Sequence, residues 1–350
     1  MANILHISRT MDIGGAEKIV YQLATDLKDE FDNVHVASTG GLWEEKLNKN
    51  GIKHHKILDV ESKDPKSLLI NFRTLSKIIK ENKIDIIHTH HRMAAFYIRI
   101  LRYIFPKIKH IYTAHNIFDN KFKMYKYSLK GAKVIAVGEG VSRHLKEDLS
   151  VDSSIIYNAI HESSNESTVK EIIDRTEIKI GFIGRLSEQK GLSYLIDAIK
   201  LIENENIHLF IAGDGDLKDK LLIQVNALEL DNKITFLGYR EDTTAIINSC
   251  DFMVMPSLYE GLPLTLIEYF QNGKTVVGTT IPGIQEVVTH EVSGLLVKPG
   301  DELSLSKEIQ RLSTDVNLRS KLEEQTKKIY GEKFSYNNFK SKYLKIYQEK

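Results

Sequence analysis

Two glutamates eight positions apart stand in the segment Pro256-Ser-Leu-Tyr-Glu260-Gly-Leu-Pro263-Leu-Thr-Leu-Ile-Glu268-Tyr-Phe-Gln-Asn-Gly273. Pro263 suits the first turn of a helix and Gly273 its end. The backbone N–H groups of Leu264 and Thr265 then lie free at the helix N-terminus, a place suited to a diphosphate. Glu268 sits roughly 7–8 Å further along the axis. Phosphate repels a carboxylate, so the glutamates need other work. A carboxylate accepts two hydrogen bonds and matches the vicinal hydroxyls of a sugar or ribose. One acid can therefore hold a transferred sugar and the other a ribose. Taken singly, each has a plainer explanation, an acid near a helix N-terminus or a solvated helical side chain. Their packing into one segment favours the ligand.

A second segment, Ile180-Gly-Phe-Ile-Gly184-Arg185-Leu-Ser-Glu-Gln-Lys190-Gly191, runs from a strand through a glycine-punctuated loop toward a helix near Leu192. Arg185 and Lys190 at a strand's carboxyl end can neutralise a departing diphosphate; alone they would be two solvated cations. A third, Met11-Asp-Ile-Gly14-Gly15-Ala16-Glu17, pairs glycines after the first strand, where backbone can approach a ligand closely. It lacks the G-x-G-x-x-G dinucleotide spacing. Three motifs are set aside. Asp214-Gly-Asp216 resembles a metal-binding pair but follows a strand in a glycine turn. His88-Thr-His90-His91 invites a zinc reading, yet no third ligand stands at helpful spacing, so it is taken as acceptor-site lining or structure. Asn165-Glu-Ser167 is a glycosylation sequon without meaning in a cytoplasmic chain. No metal is expected.

These motifs need a frame. Strand patterns fall at 4–7, 34–37, 52–57, 84–88, 110–113, 134–137 and 155–157. They restart at 179–183, 208–212, 234–237, 252–255, 275–278 and 294–297, with amphipathic stretches such as 16–27 and 67–80 between. That alternation predicts an α/β protein of two doubly wound, Rossmann-like domains facing across a cleft, with ligands beyond the strands' carboxyl ends. The stretch 161–174, rich in Ser and Glu, reads as the linker. The expected divisions are 1–165 and 166–332, with a final helical stretch in 333–350. Hydrophobic content of 42% and charged content of 27% are globular values. One cysteine, Cys250, excludes an intramolecular disulfide framework. With no signal-peptide pattern and no apolar run near bilayer length, a cytoplasmic location is expected.

The formal net charge of +1 hides a local block. Positions 92–133 carry ten Lys/Arg, among them Arg92, Arg99, Arg102, Lys121, Lys123 and Lys126, against one acid, Asp119. Aromatic residues interleave them. This composition suits an anionic membrane surface as well as a solvated helix face. It accompanies no nucleic-acid recognition module.

Together the segments resemble glycosyltransferase family 4, retaining transferases of the GT-B fold. The likeness covers nearly the whole chain. It rests on Gly14-Gly15-Ala16-Glu17, Thr113-Ala-His115-Asn116, Ile156-Tyr-Asn158-Ala-Ile160, Gly184-Arg185…Lys190-Gly191 and Ala212-Gly-Asp-Gly215. It continues in Phe236-Leu-Gly238, Glu260…Glu268, Gly283-Ile-Gln-Glu286 and Gly294-Leu-Leu-Val-Lys-Pro-Gly-Asp301. His161 departs from it, standing where many relatives carry Asp.

The resemblance implies that Arg185 and Lys190, beside Gly184, bind the donor diphosphate and that Gly15 approaches it from the opposing domain. It implies that Glu260 with the Gly261–Leu262 backbone holds the sugar, that Glu268 holds the ribose, and that His115 lies near the sugar. It further implies a UDP-sugar co-substrate, no cofactor, and a glycan or polyprenyl-diphosphate-linked acceptor in cell-surface polysaccharide synthesis. A peripheral position on the inner face of the membrane and a final helix, 336–348, crossing back to the first domain also follow. A sugar-nucleotide epimerase of the same fold and a catalytically silent partner subunit are the alternatives.

Overall fold

The computed structural model describes residues 2–349 apart from 13, 119–120, 162–167, 176 and 204–205. The chain forms two compact units, 1–158 with 337–350, and 159–336. The expected boundary at 165/166 and the sequon at Asn165 lie outside the described residues.

The first unit is built on seven parallel strands: β1 (Asn3–Ile7), β2 (Asn33–Ser38), β3 (Lys53–Lys56), β4 (Ile86–Thr89), β5 (Lys109–Ala114), β6 (Lys133–Ala136) and β7 (Ser154–Ile155). Their order is β3-β2-β1-β4-β5-β6-β7. The chain works outward from β1 to one edge and returns to lay β4 on its other side. The switch point therefore falls between β1 and β4, the place where such sheets bind ligands.

Side chains alternate across each strand. Leu5, Ile7 and Ile87 join an apolar core with Leu75, Ile79, Tyr97 and Ile98 from the helices Pro65–Glu81 and Arg92–Leu101. The register pairs His6 with His88, which puts both on the opposite face. The helix Tyr336–Gln348 brings Tyr343 and Tyr347 to that face, where both bury. Its buried residues Phe339, Tyr343, Ile346 and Tyr347 follow the helical period. Lys109 Nζ donates to the carbonyls of Ile346 (2.7 Å) and Tyr347 (3.2 Å), a cation at a helix C-terminus.

The second unit carries six parallel strands: β8 (Ile178–Ile183), β9 (Ile207–Ala212), β10 (Ile234–Gly238), β11 (Phe252–Met255), β12 (Val276–Thr279) and β13 (Leu295–Val297). The order is β10-β9-β8-β11-β12-β13, so this switch point lies between β8 and β11. Both neighbours of the switch are near-continuous apolar runs, as sheets covered on both faces require. Helix starts follow local chemistry. Asp64 and Asp301 accept from the N–H groups of Ser67 and Ser304 at 2.9 Å, each satisfying a first-turn donor. The helix Leu264–Gln271 begins one residue later than Pro263, which serves as its N-cap.

Candidate active site

The segments that end β8 and β11 meet at the second unit's switch point. After β8 the Gly184 N–H donates to the Ala212 carbonyl at 3.0 Å. Gly213 opposite has φ +147°, and a Cβ there would lie 1.9 Å from the Gly184 carbonyl oxygen. The chain then makes a 3-10 turn, Glu188–Lys190, closed by Gly191 at φ +65°. The loop after β11 is tied to that turn. The Leu258 N–H donates to the Gln189 carbonyl at 2.8 Å, and Gln189 Nε2 donates to the Tyr259 carbonyl at 3.0 Å.

These ties bring Lys190 and Glu260 into an ion pair, Nζ to Oε1 2.6 Å, with side chains 16% and 8% exposed. Glu260 also accepts from Ser257 Oγ (3.1 Å) and Gln189 Nε2 (3.4 Å). Three donors converge on this one carboxylate and fix its direction. The roles expected for Lys190 and Glu260 were separate; the structure joins them. Ser257 and Gln189 were missed as partners, although both lie inside the segments already singled out. Their signal was adjacency alone, three residues before Glu260 and one before Lys190.

Behind this pair the Thr279 hydroxyl donates to the Ser257 carbonyl at 2.6 Å. A Cβ on Gly283 would come within 2.2 Å of the Gly261 carbonyl oxygen, so the short helix Pro282–Gln285 presses on the Glu260–Gly261 backbone. Gly261, Leu262 and Leu264 are buried there and Thr265 is half-buried. The helix Leu264–Gln271 starts without a side-chain cap, and its proline N-cap has no N–H. Its first-turn donors suit an anion. Glu268 is buried in that helix, beside Tyr269, whose hydroxyl accepts from the Ile183 N–H at the end of β8 (3.3 Å). Burial holds the Tyr269 phenol well above its ordinary value, and the charges of Glu268 and Glu260 add to this. Arg185 is exposed on the loop between β8 and the turn. Asp214 is spent locally on the Gly215 N–H (2.8 Å) and Lys218 (3.3 Å).

In the first unit, Gly15 opens the helix Gly15–Asp26 after an extended Gly14 and is exposed. His115 stands just past β5, half-buried. Its Nε2 lies 3.1 Å from His90 Nδ1, and His90 Nε2 lies 3.3 Å from His6 Nδ1. Burial pushes His115 down to about 4 and His6 to about 3, and His90 lies well below its ordinary value. The reading that His88-Thr-His90-His91 has no third partner is corrected here: strand pairing supplies His6 from 82 positions away. His6, His88 and His90 offer nitrogens within 4.8 Å of one another, among the described residues the one such cluster. The run itself is divided in use. His91 Nδ1 accepts from the Met93 N–H (3.2 Å), capping a helix, while His88 bonds Tyr347 and Thr113.

The basic block also divides. Arg92 lies over the Phe118 ring (4.4 Å), Arg99 over Tyr103 and Tyr127 (4.8 and 5.3 Å), and Arg102 donates to the Gly131 carbonyl (2.7 Å). These half-buried arginines brace the helices Arg92–Leu101 and Phe122–Leu129. Lys121, Lys123 and Lys126 are exposed, beside a partly exposed Phe122. No helix of the described residues is long and apolar enough to cross a membrane.

Comparison with known proteins adds to this geometry. The family model described as Glycosyltransferase Family 4 matches residues 13–164, and that described as Glycosyl transferases group 1 matches 163–329. An uncharacterized glycosyltransferase of Methanocaldococcus jannaschii is 30% identical over 96% of this chain and 95% of its own. The Escherichia coli UDP-Gal:alpha-D-GlcNAc-diphosphoundecaprenol alpha-1,3-galactosyltransferase is 29% identical over 74% of this chain and 73% of its own. The crystal structure of Anabaena HepE in complex with UDP and glucose superposes with a TM-score of 0.88 at 21% identity, covering all of both chains.

Proposed function

The chain belongs to glycosyltransferase family 4 and has the GT-B fold, and from that premise we propose that this glycosyltransferase works with retention, moving a sugar from a UDP-sugar to a hydroxyl of a glycan or polyprenyl-diphosphate-linked acceptor. The observation that carries this reading is the Lys190–Glu260 pair set beside the uncapped helix Leu264–Gln271. An ammonium has three N–H donors. Lys190 spends one on Glu260 and has others for phosphate oxygens. Glu260 keeps its direction and accepts from sugar hydroxyls. Glu268 takes the ribose, and Arg185 with the first-turn N–H groups completes the charge on the diphosphate. His115 keeps its expected place near the sugar, and Gly15 its expected approach to the diphosphate.

In the reaction the anomeric C–O bond to phosphate breaks early, leaving positive charge on the sugar and negative charge on the diphosphate. Lys190 and Arg185 stabilise the latter. The acceptor hydroxyl attacks from the face the diphosphate leaves, and its proton passes to a phosphate oxygen. No side chain serves as nucleophile and no metal is required. The UDP and the lipid-linked acceptor are supported by the names of the Escherichia coli and Anabaena relatives, and cell-surface polysaccharide synthesis at the inner face of the membrane belongs to the same reading. The exposed lysines 121, 123 and 126 suit its anionic lipids.

A nucleotide-sugar screen by thermal stabilisation tests the donor. A UDP-sugar at 100 times its Kd adds about 2.7 kcal/mol and raises Tm, with GDP- and ADP-sugars weaker and EDTA without effect. Lys190→Ala and Glu268→Gln should each lose transfer. Near-normal turnover in both would remove the site assignment, and donor turnover without acceptor would mark an epimerase instead.

A further inference from the structure

The carboxyl end of β5 continues into the fold as a regular file of imidazoles. His115 is half-buried at its outer end, and His90 and His6 are buried behind it. The rings of His115 and His90 have centroids 5.4 Å apart at an interplanar angle of 26°, and those of His90 and His6 lie 5.5 Å apart at the same angle. Both contacts join Nδ1 of one ring to Nε2 of the next, His90 Nδ1 to His115 Nε2 and His6 Nδ1 to His90 Nε2.

A neutral imidazole has one N–H and one lone pair. If His6 donates from Nδ1, His90 accepts on Nε2 and must carry its own proton on Nδ1. His115 then accepts on Nε2 and carries its proton on Nδ1. In the reverse sense all three carry it on Nε2. The two hydrogen bonds coexist in neutral rings only when the three tautomers agree. The outer atom, His115 Nδ1, is a donor in one state and an acceptor in the other.

We propose that His90 and His6 are positioning residues that act through this file to fix which nitrogen of His115 carries the proton toward the transferred sugar. The inference rests on the placing of His115 at the sugar. A neighbouring chain of bonds isolates the file. Tyr347 Oη lies 2.7 Å from His88 Nδ1, His88 Nε2 lies 2.8 Å from Thr113 Oγ1, and Thr113 Oγ1 lies 3.2 Å from Tyr343 Oη. His88, from β4, sits 4.0 Å from His90 between ring centroids and is kept neutral by burial. Tyr343 and Tyr347, from the last helix, are kept protonated by burial. Burial, and then the neighbouring imidazoles His88, His115 and His6, disfavour an imidazolium at His90. The same engagement weighs against a metal at His6, His88 and His90. Both nitrogens of His88 and both of His90 already hold partners.

The test is imidazole 15N NMR on the full chain at pH 7, with the three rings assigned by single substitution. The expected result is three neutral rings in one shared tautomer. Unlike tautomers, an imidazolium among them, or resonances that move on adding one equivalent of Zn²⁺, the last marking a metal site, would overturn the file. His6→Phe should scramble the His115 tautomer and lower kcat roughly tenfold, short of the 10²-fold that an ångström of misplacement can cost, with donor KM little changed. His6→Asn, whose amide reaches the place of Nδ1, should restore both. A shared tautomer with unchanged kcat in His6→Phe would overturn the positioning role. The NMR result does not depend on turnover, so its failure in an enzyme stabilised by UDP-sugar counts against the file alone. Absence of any donor binding counts against the placing of His115.

Discussion

Lys190 and Glu260 are both largely withdrawn from water, and each is the other's counter-charge. Removing one partner of such a pair costs roughly 3–5 kcal/mol when burial is complete; the remaining access to water here brings that down. Lys190→Met and Glu260→Gln should each lower Tm. The double variant should recover most of the loss, while transfer stays absent in all three. A double-mutant cycle on Tm against turnover checks this; additive losses would mean the pair does not couple. The types and spacing of these residues were legible from the chain, because each lies in a segment dense with glycine, proline and charge. Their partnership was not. It spans 70 positions and depends on β8 and β11 being neighbours, which no local pattern encodes. His6 was invisible for the same reason: a lone histidine in an apolar strand acquires meaning from the register that sets it beside His88.

At the level of elements, the thirteen strands of the described residues overlap the thirteen strand patterns read from the sequence, although β3 itself is Lys-His-His-Lys between Ile52 and Ile57. The edges were less legible. The expected strand at 155–157 is reduced to Ser154–Ile155, a last pairing on β6 where half the ladder is unused. The loops that make the site were the hardest to foresee, because their shape comes from close approach between segments. Gly191 shows the cost. Its φ is +65°, and a Cβ there would lie 2.1 Å from the Pro256 carbonyl oxygen. Gly238 has a similar φ of +68°, with open space where a Cβ would go. Alanine at Gly238 should lose only the backbone penalty, roughly 1–3 kcal/mol at most. Alanine at Gly191 adds a collision that pushes the β8 turn away from the β11 loop. Urea melts of the two variants, read beside UDP-sugar affinity, should show the larger loss in both for Gly191→Ala and unaltered affinity for Gly238→Ala.

Across the whole molecule, the histidines are unevenly shared. The second unit has only His161, His208 and His290. The first contains His6 and His110, pushed by burial from 6.5 to about 3, and His115 and His55, pushed to about 4. Between those values and 6.5 the unfolded chain binds protons that the folded unit refuses. Stability from these residues is therefore full above pH 6.5 and is lost as the pH falls toward 4. Calorimetry from pH 7 to pH 5 should show the first unit's transition moving down well ahead of the second's. Transitions that fall together would contradict it.

The last helix adds a consequence in time. A chain leaving the ribosome completes the second unit's residues at Tyr336, while Tyr343 and Tyr347, the hydroxyl partners of Thr113 and His88, are still to be made. Domains usually mature in the order of synthesis. Here the unit begun first is completed after the second, and its histidine face stays open until Tyr343 and Tyr347 emerge.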